Sequence, residues 1–152
     1  MSVDITVGNS PFTATFSTFD TLVSGTGNDV ITLSGQLAAG TANLGGGTDS
    51  LTLGNFANTL TASNIETITG GTSDDVVVIG NSAVGVTVNL GAGTDSLTLG
   101  DFANTLTIIG VENFTAGTST DIVTLGAAAN QSVDLGAGTD TLILGNFANT
   151  VT

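Results

Sequence analysis

The sequence predicts an all-β protein that forms a single parallel β-solenoid of the β-roll or β-helix type, with about seven rungs and alternating shorter and longer coils. Two observations lead to this fold class. The chain repeats itself from end to end, at a shift of 46 and then 45 residues. Within each repeat, apolar and β-branched residues alternate with period two between Gly-rich turns, and no stretch carries a helical stripe.

The long repeat is clearest in the segment Gly45–Thr59, which recurs as Gly91–Thr105 and again as Gly136–Thr150. The N-terminal residues follow the same shift, so no part of the chain stands outside the pattern. Residues 1–152 are therefore expected to form one solenoid domain of 46-residue double repeats that starts and ends in mid-repeat.

Each double repeat carries the pattern Asp-x-apolar-x-apolar twice, and we expect each copy to begin one coil. The copies lie 20, 26, 20, 26 and 19 residues apart, and the longer coils have room for one more strand, such as Ile108–Thr115. Stacking in register would place the motif aspartates along one turn, about 5 Å apart. They are Asp29, Asp49, Asp75, Asp95, Asp121 and Asp140.

Pairs of polar residues bracket one apolar residue in coil after coil, as in Thr59-Leu60-Thr61. We expect the bracketed residue to point inward and the pair to form an outward ladder. Phe56, Phe102 and Phe147 share one phase of the repeat and are expected in the core. The predicted inward column is Ala14, Ala42, Leu60, Val88, Leu106, Val133 and Val151.

The composition argues against several classes of function. The chain has 13 acidic residues, no Lys, Arg, His or Cys, and a formal net charge of -13. We expect no nucleic-acid binding without cationic side chains, and no membrane insertion without a long apolar run. An enzyme is not expected either, because no base is present to activate the Ser and Thr hydroxyls. The adjacent carboxylates Asp74 and Asp75 read as a turn and a solvated neighbour rather than an acid–base pair.

Carboxylates stacked about 5 Å apart repel each other by ~1 kcal/mol in water and by ~3–4 kcal/mol at an effective dielectric constant of 20. A bound cation, splayed side chains or partial protonation must offset this repulsion. Calcium (Ca2+) is the natural candidate, since its ligands are oxygen atoms. In the alternative without an ion, the aspartates form turns by accepting backbone N–H bonds, and Gly supplies the positive φ angles.

The segment Ser24–Thr32 resembles the Gly-Gly-x-Gly-x-Asp-x-apolar-x nonapeptide of the hemolysin-type (RTX) calcium-binding repeats, and Gly70–Val78 is close to it. The connecting stretches 64–70 and 111–115 resemble linkers between such repeats in large bacterial surface proteins. The resemblance implies a parallel β-roll with calcium between its turns, and export without an N-terminal leader. The ligands it implies are Asp29, Asp49, Asp75, Asp95, Asp121 and Asp140.

This chain departs from the RTX pattern in two respects. The RTX nonapeptides run in tandem, whereas here each coil holds one motif. The first Gly of the nonapeptide is replaced by Leu44, Leu90 and Leu135 in half of the copies.

We expect a non-enzymatic structural subunit of an extracellular filament or matrix fibre, which assembles head-to-tail by rung stacking and is stabilised by calcium. Neither end of the sequence carries an evident polar cap. Pro11 stands where other repeats have Ala57 and Ala103. Within an end strand it would argue against pairing at the N-terminal rung, whereas in the turn it would not interfere. Both ends also carry the first half of a long coil, so a junction does not simply continue the repeat.

Two alternatives stay open: a calcium-binding repeat segment of a large adhesin or surface-layer protein, and an ice-binding module built on the Thr ladder. Asn43, Asn89 and Asp134 interrupt that ladder and count against ice binding. The first residues lack the positive region of a signal peptide, so an extracellular or cell-surface location implies export without one. Polysaccharides or a cell surface are the remaining partner class.

Overall fold

A computed structural model describes residues 3–127 and 130–152 of the chain. Its regular elements are all β-strands, and this part of the chain has no helix long and apolar enough to span a membrane. The strands are β1 (Asp4–Thr6), β2 (Thr13–Phe16), β3 (Thr21–Val23), β4 (Val30–Leu33), β5 (Gly40–Asn43), β6 (Ser50–Thr52), β7 (Thr59–Ser63), β8 (Thr67–Gly71), β9 (Val76–Ile79), β10 (Val84–Gly91), β11 (Ser96–Leu99), β12 (Thr105–Ile109), β13 (Asn113–Thr115), β14 (Ile122–Leu125), β15 (Asn130–Asp134), β16 (Thr141–Ile143) and β17 (Thr150–Val151).

The strands form two parallel sheets with the core between them. The odd-numbered strands make a nine-stranded sheet, here called sheet A, and the even-numbered strands make an eight-stranded sheet, sheet B. Each strand pairs with the strand two positions along the chain, so one turn of the solenoid contributes one strand to each sheet. This arrangement confirms the predicted parallel β-solenoid. It has about eight turns, close to the seven rungs expected.

The coils are shorter than the sequence suggested. Thr59 pairs with Val76, 17 residues on, and Val76 pairs with Ser96, 20 residues on. The 26-residue intervals between motif aspartates therefore span one and a half turns, because they contain an additional strand. A 46-residue repeat thus holds five strands, such as β7–β11, and an odd number of strands places equivalent segments of successive repeats in opposite sheets.

The core consists of aliphatic side chains that point inward from alternate strand positions. Among the residues predicted to point inward, Ala42 and Leu60 are buried in sheet A, and Val88 and Leu106 are buried in sheet B. The prediction of a single inward column is therefore wrong, although the inward orientation is confirmed for these four. At the last strand, Val151 is exposed.

The prediction that Phe56, Phe102 and Phe147 belong to the core is also wrong, since these side chains are 44–50% exposed. Each lies in the turn that follows a strand. The N–H of Phe56 donates to the carbonyl oxygen of Gly54 at 2.8 Å, and the ring lies against that glycine. The turn directs the ring outward, whereas Phe114 on β13 points into the core.

Gly91 provides a test of coil stacking, because it has a φ angle of +95° and a Cβ atom there would collide with the carbonyl oxygen of Gly71 in the adjacent coil. We expect Gly91→Ala to lower the free energy of unfolding by about 1–3 kcal/mol. The control is Gly80→Ala, since Gly80 lies outside the left-handed region and a Cβ there meets no atom closer than 3.8 Å. Urea unfolding followed by circular dichroism measures both. Equal stability of the two variants would contradict this close packing.

Candidate functional site

The motif aspartates lie at the turns that lead into strands, on two corners of the solenoid rather than one. Asp75 and Asp95 precede strands of sheet A, and the other four precede strands of sheet B. The prediction that all six line one turn is wrong, because the five-strand repeat moves the motif to the opposite sheet. Within each repeat the two aspartates do lie in adjacent coils, as in-register stacking requires.

Hydrogen bonds join these side chains into three columns, in which the main-chain N–H of one residue donates to a side-chain oxygen in the next coil. In the second column, the N–H of Asp75 donates to Asp95 Oδ1 at 2.7 Å, and the N–H of Asp95 donates to Glu112 Oε2 at 2.8 Å. The first column is Asp29, Asp49 and Glu66; the second is Asn58, Asp75, Asp95 and Glu112; the third is Asn104, Asp121 and Asp140.

Asparagine begins the second and third columns. Asn58 is buried; its N–H donates to Asp75 Oδ1 at 3.0 Å and its Nδ2 donates to the same oxygen at 2.9 Å. Its Oδ1 accepts the N–H of Leu37 from the preceding coil at 2.9 Å. Asn104 makes the equivalent contacts. The asparagine thus connects a coil without a carboxylate at this position to the first aspartate of the column.

The asparagines and glutamates of the columns were not recognised from the sequence, although a signal was present. Asn58 and Asn104 lie 46 residues apart, as do Glu66 and Glu112. Each therefore keeps one position in the repeat. Their distance from the Asp-x-apolar-x-apolar pattern along the chain concealed the link, since only the stacking of coils brings them beside the aspartates.

Five of the six aspartates are fully buried, at 0 or 1% exposure. Asp29 Oδ2 accepts the hydroxyl of Ser24. In contrast, the Oδ2 atoms of Asp49, Asp95 and Asp121 are buried and have no hydrogen-bond partner among the described residues. A buried carboxylate oxygen without a donor is unfavourable, so these three atoms are where the columns most need a neutralising group.

The attractive and repulsive interactions of the carboxylates within a column are similar in size. A hydrogen bond from N–H to a carboxylate contributes about 1.5–3 kcal/mol, and a neighbouring carboxylate opposes it by about 1–4 kcal/mol. The cost of removing the buried carboxylates from water is then not compensated by either interaction. Burial raises the pKa of Asp95 to about 6; the N–H of Asp75 opposes this shift, and the charges of Asp75, Glu112 and Asp74 add to it. Burial likewise raises the pKa of Asp49.

Within the described residues, no group of three or more acidic side chains is arranged to hold a metal ion by itself. A calcium ion at a column would need main-chain oxygens of the Gly-rich turns as well as a carboxylate, and calcium accepts both ligand types. The buried Oδ2 atoms of Asp49, Asp95 and Asp121 fit such an ion, because each lacks a donor. Calcium binding at the six aspartates stays a prediction.

The adjacent carboxylates of Asp74 and Asp75 have different environments. Asp75 is buried within the second column, whereas Asp74 is exposed and its Oδ1 accepts the N–H of Thr94 at 2.8 Å. Each side chain therefore has its own structural contact in the stack of turns.

No protein-family model, curated protein or solved structure matches this chain.

The raised pKa of Asp95 predicts an unusual dependence of stability on pH. Because the folded-state pKa lies above the ordinary value of 3.8, protonation favours folding. The stability that protonation of Asp95 contributes is fully present below about pH 4 and is lost as the pH rises through about 6. In chelator, we expect the free energy of unfolding to be lower at about pH 7.5 than at about pH 5, by on the order of 1–2 kcal/mol.

Asp95→Asn should reduce this pH dependence without loss of stability at neutral pH, since asparagine still offers an oxygen to the N–H of Asp75. Asp101→Asn makes the same charge change at an exposed turn and serves as the control. Urea unfolding at several pH values compares the two variants. The interpretation is wrong if both variants reduce the slope equally.

Proposed function

We propose that this chain is a non-enzymatic structural subunit that assembles head-to-tail into an extracellular filament or matrix fibre, with calcium stabilising its acidic columns. The observation that carries the proposal is the pair of open edges in each sheet. Among the described strands, β1 and β2 at one end and β16 and β17 at the other pair on one side only. An unpaired strand edge is a template for another strand.

The apolar core is open at the C-terminal edge as well. Leu144 is 51% exposed, whereas Leu53 and Leu99, which occupy the same position of the repeat, are 3% and 4% exposed. The difference arises because the described residues place no strand beside β16 on the side of Leu144. A docked rung would bury this side chain and pair the free N–H and C=O groups of β16 and β17 in one step.

The alternation of strands between the sheets defines a junction that keeps every rung paired. The described strands end with β17 in sheet A, so the next strand of an unbroken stack belongs beside β16 in sheet B. A second copy whose β1 takes that place is rotated by about half a turn, with a rise of roughly 40 Å per copy. Pro11 lies before β2, outside the strand, so it removes no N–H from that edge.

The charge distribution is compatible with such a fibre. The formal net charge is -13, and exposed carboxylates such as Asp74 and Asp101 lie in turns. Fibres of this chain would repel each other until divalent ions bridge them. Calcium at the buried carboxylates would act in the same medium, where its concentration is high enough for weak sites.

Filament formation is tested by electron microscopy and light scattering of the purified chain at micromolar concentration with millimolar calcium. We expect thin uniform fibres for the unmodified chain and monomers for Leu144→Glu, which places a charge in the proposed junction. Val84→Glu is the matched control, since Val84 is exposed in mid-stack. A monomeric unmodified chain, or fibres that persist in Leu144→Glu, would overturn the proposal.

A calcium-binding repeat segment of a larger adhesin or surface-layer protein is the second candidate. The same open edges favour it, because further coils of one longer chain would cover β1, β2, β16 and β17 as well as a second copy would. In that case the purified chain stays a folded monomer in millimolar calcium.

Calcium binding has its own test, which is independent of assembly when carried out on Leu144→Glu. At a calcium concentration about tenfold above the Kd, each site adds about 1.4 kcal/mol of stability, or about 3–6 °C in Tm. Asp95→Asn should lose part of this increase and Asp101→Asn should keep it. An identical Tm in chelator and in millimolar calcium would show that calcium does not stabilise the chain.

A further inference from the structure

The outward face of sheet B is free of charge. None of its eight strands contains an acidic residue, although the formal net charge of the chain is -13. The carboxylates lie in the buried columns and in the turns. A partner of this face is therefore recognised without ion pairs.

The face carries threonine in register along the stack. In the first half of sheet B, the strand pairings of β2, β4, β6 and β8 place four threonines beside one another. They are Thr15, Thr32, Thr52 and Thr69.

A second threonine column continues the array in the other half of the sheet. The pairings of β8, β10, β12 and β14 align Thr67, Thr87, Thr107 and Thr124. The two columns meet on β8, so every strand of sheet B from β2 to β14 contributes a threonine hydroxyl.

Most of the residues that interrupt the threonine ladder in the sequence lie in sheet A and not on this face. Asn43 and Asp134 belong to β5 and β15 of sheet A, and only Asn89 lies in sheet B. The odd number of strands per repeat causes this sorting. In sheet A the threonine column is broken by Val78, which pairs with Thr61 on one side and Thr98 on the other.

The spacing of the hydroxyls suits ordered water. Neighbouring strands lie about 4.8 Å apart. Two oxygen atoms that share one water at about 2.75 Å and the tetrahedral angle lie about 4.5 Å apart. One water molecule can therefore bridge each successive pair of threonines with little distortion. The β-branched side chains have few rotamers, which limits the entropy lost on ordering.

We propose that the outward face of sheet B binds ice, whose tetrahedral lattice repeats this second-neighbour spacing. A second copy of the chain is a weaker match, because the face offers roughly 400–500 Å² and a stable protein interface needs about 800 Å² per partner. An ice surface has no such limit of extent. The inference goes beyond the filament and does not depend on it.

The test measures thermal hysteresis and inhibition of ice recrystallisation by the purified chain in millimolar calcium. Thr52→Tyr places a ring in the middle of the array. Thr98→Tyr is the matched control, since Ser96–Leu99 repeats the sequence around Thr52 but lies in sheet A. We expect the unmodified chain to be active, Thr52→Tyr to lose activity several-fold and Thr98→Tyr to keep it, with both variants folded by circular dichroism.

Absence of hysteresis in the folded unmodified chain, or equal losses in the two variants, would overturn the proposal. Binding to insoluble cellulose or chitin in place of ice, with the same loss in Thr52→Tyr, would reassign the face to a neutral polysaccharide. The filament-deficient Leu144→Glu variant should retain ice activity, which separates this result from failure of the assembly proposal.

Discussion

In-register stacking of coils by parallel main-chain hydrogen bonds is the constraint on which the rest of this structure depends. With strands about 4.8 Å apart, residues at one position of adjacent coils are in contact. The same geometry that aligns Leu60 with Val77 in the core aligns Asp75 with Asp95 at a corner. A solenoid that repeats its core must therefore also repeat its polar groups, whether their contacts are favourable or not.

The acidic columns show how the chain accommodates this requirement. Each buried carboxylate accepts an N–H from the preceding coil, so the turns are held together by the same groups that repel one another. Asparagine at Asn58 and Asn104 satisfies the donors where a column begins. Burial raises the pKa of Asp95, and the charges of Asp75, Glu112 and Asp74 add to this shift. The buried oxygens without donors are where a cation would be a chemically reasonable addition.

Five strands per 46-residue repeat give the molecule two different faces from one repeating sequence. Equivalent segments alternate between the sheets, so each face samples the repeat at different positions. In sheet B each threonine column runs through four successive strands, whereas Val78 interrupts the threonine column of sheet A. The exposed turn phenylalanines are likewise divided, with Phe102 on the edge opposite to Phe56.

The amino-acid sequence by itself determined the β-solenoid, because period-two alternation and Gly-rich turns are local properties that recur at a fixed interval. It also identified Asp29, Asp49, Asp75, Asp95, Asp121 and Asp140 as one class of residue. Only the tertiary structure decided that the interval spans two and a half turns, and hence which aspartates share a corner and which threonines share a face. The physical reason is that the number of strands per repeat depends on how the turns close. A repeat that is half a turn longer or shorter has the same local sequence pattern, but it places the next copy of each segment in the opposite sheet. For the same reason the sequence did not predict that Glu66 and Glu112 belong to the columns, because their partners are neighbours across coils and not along the chain.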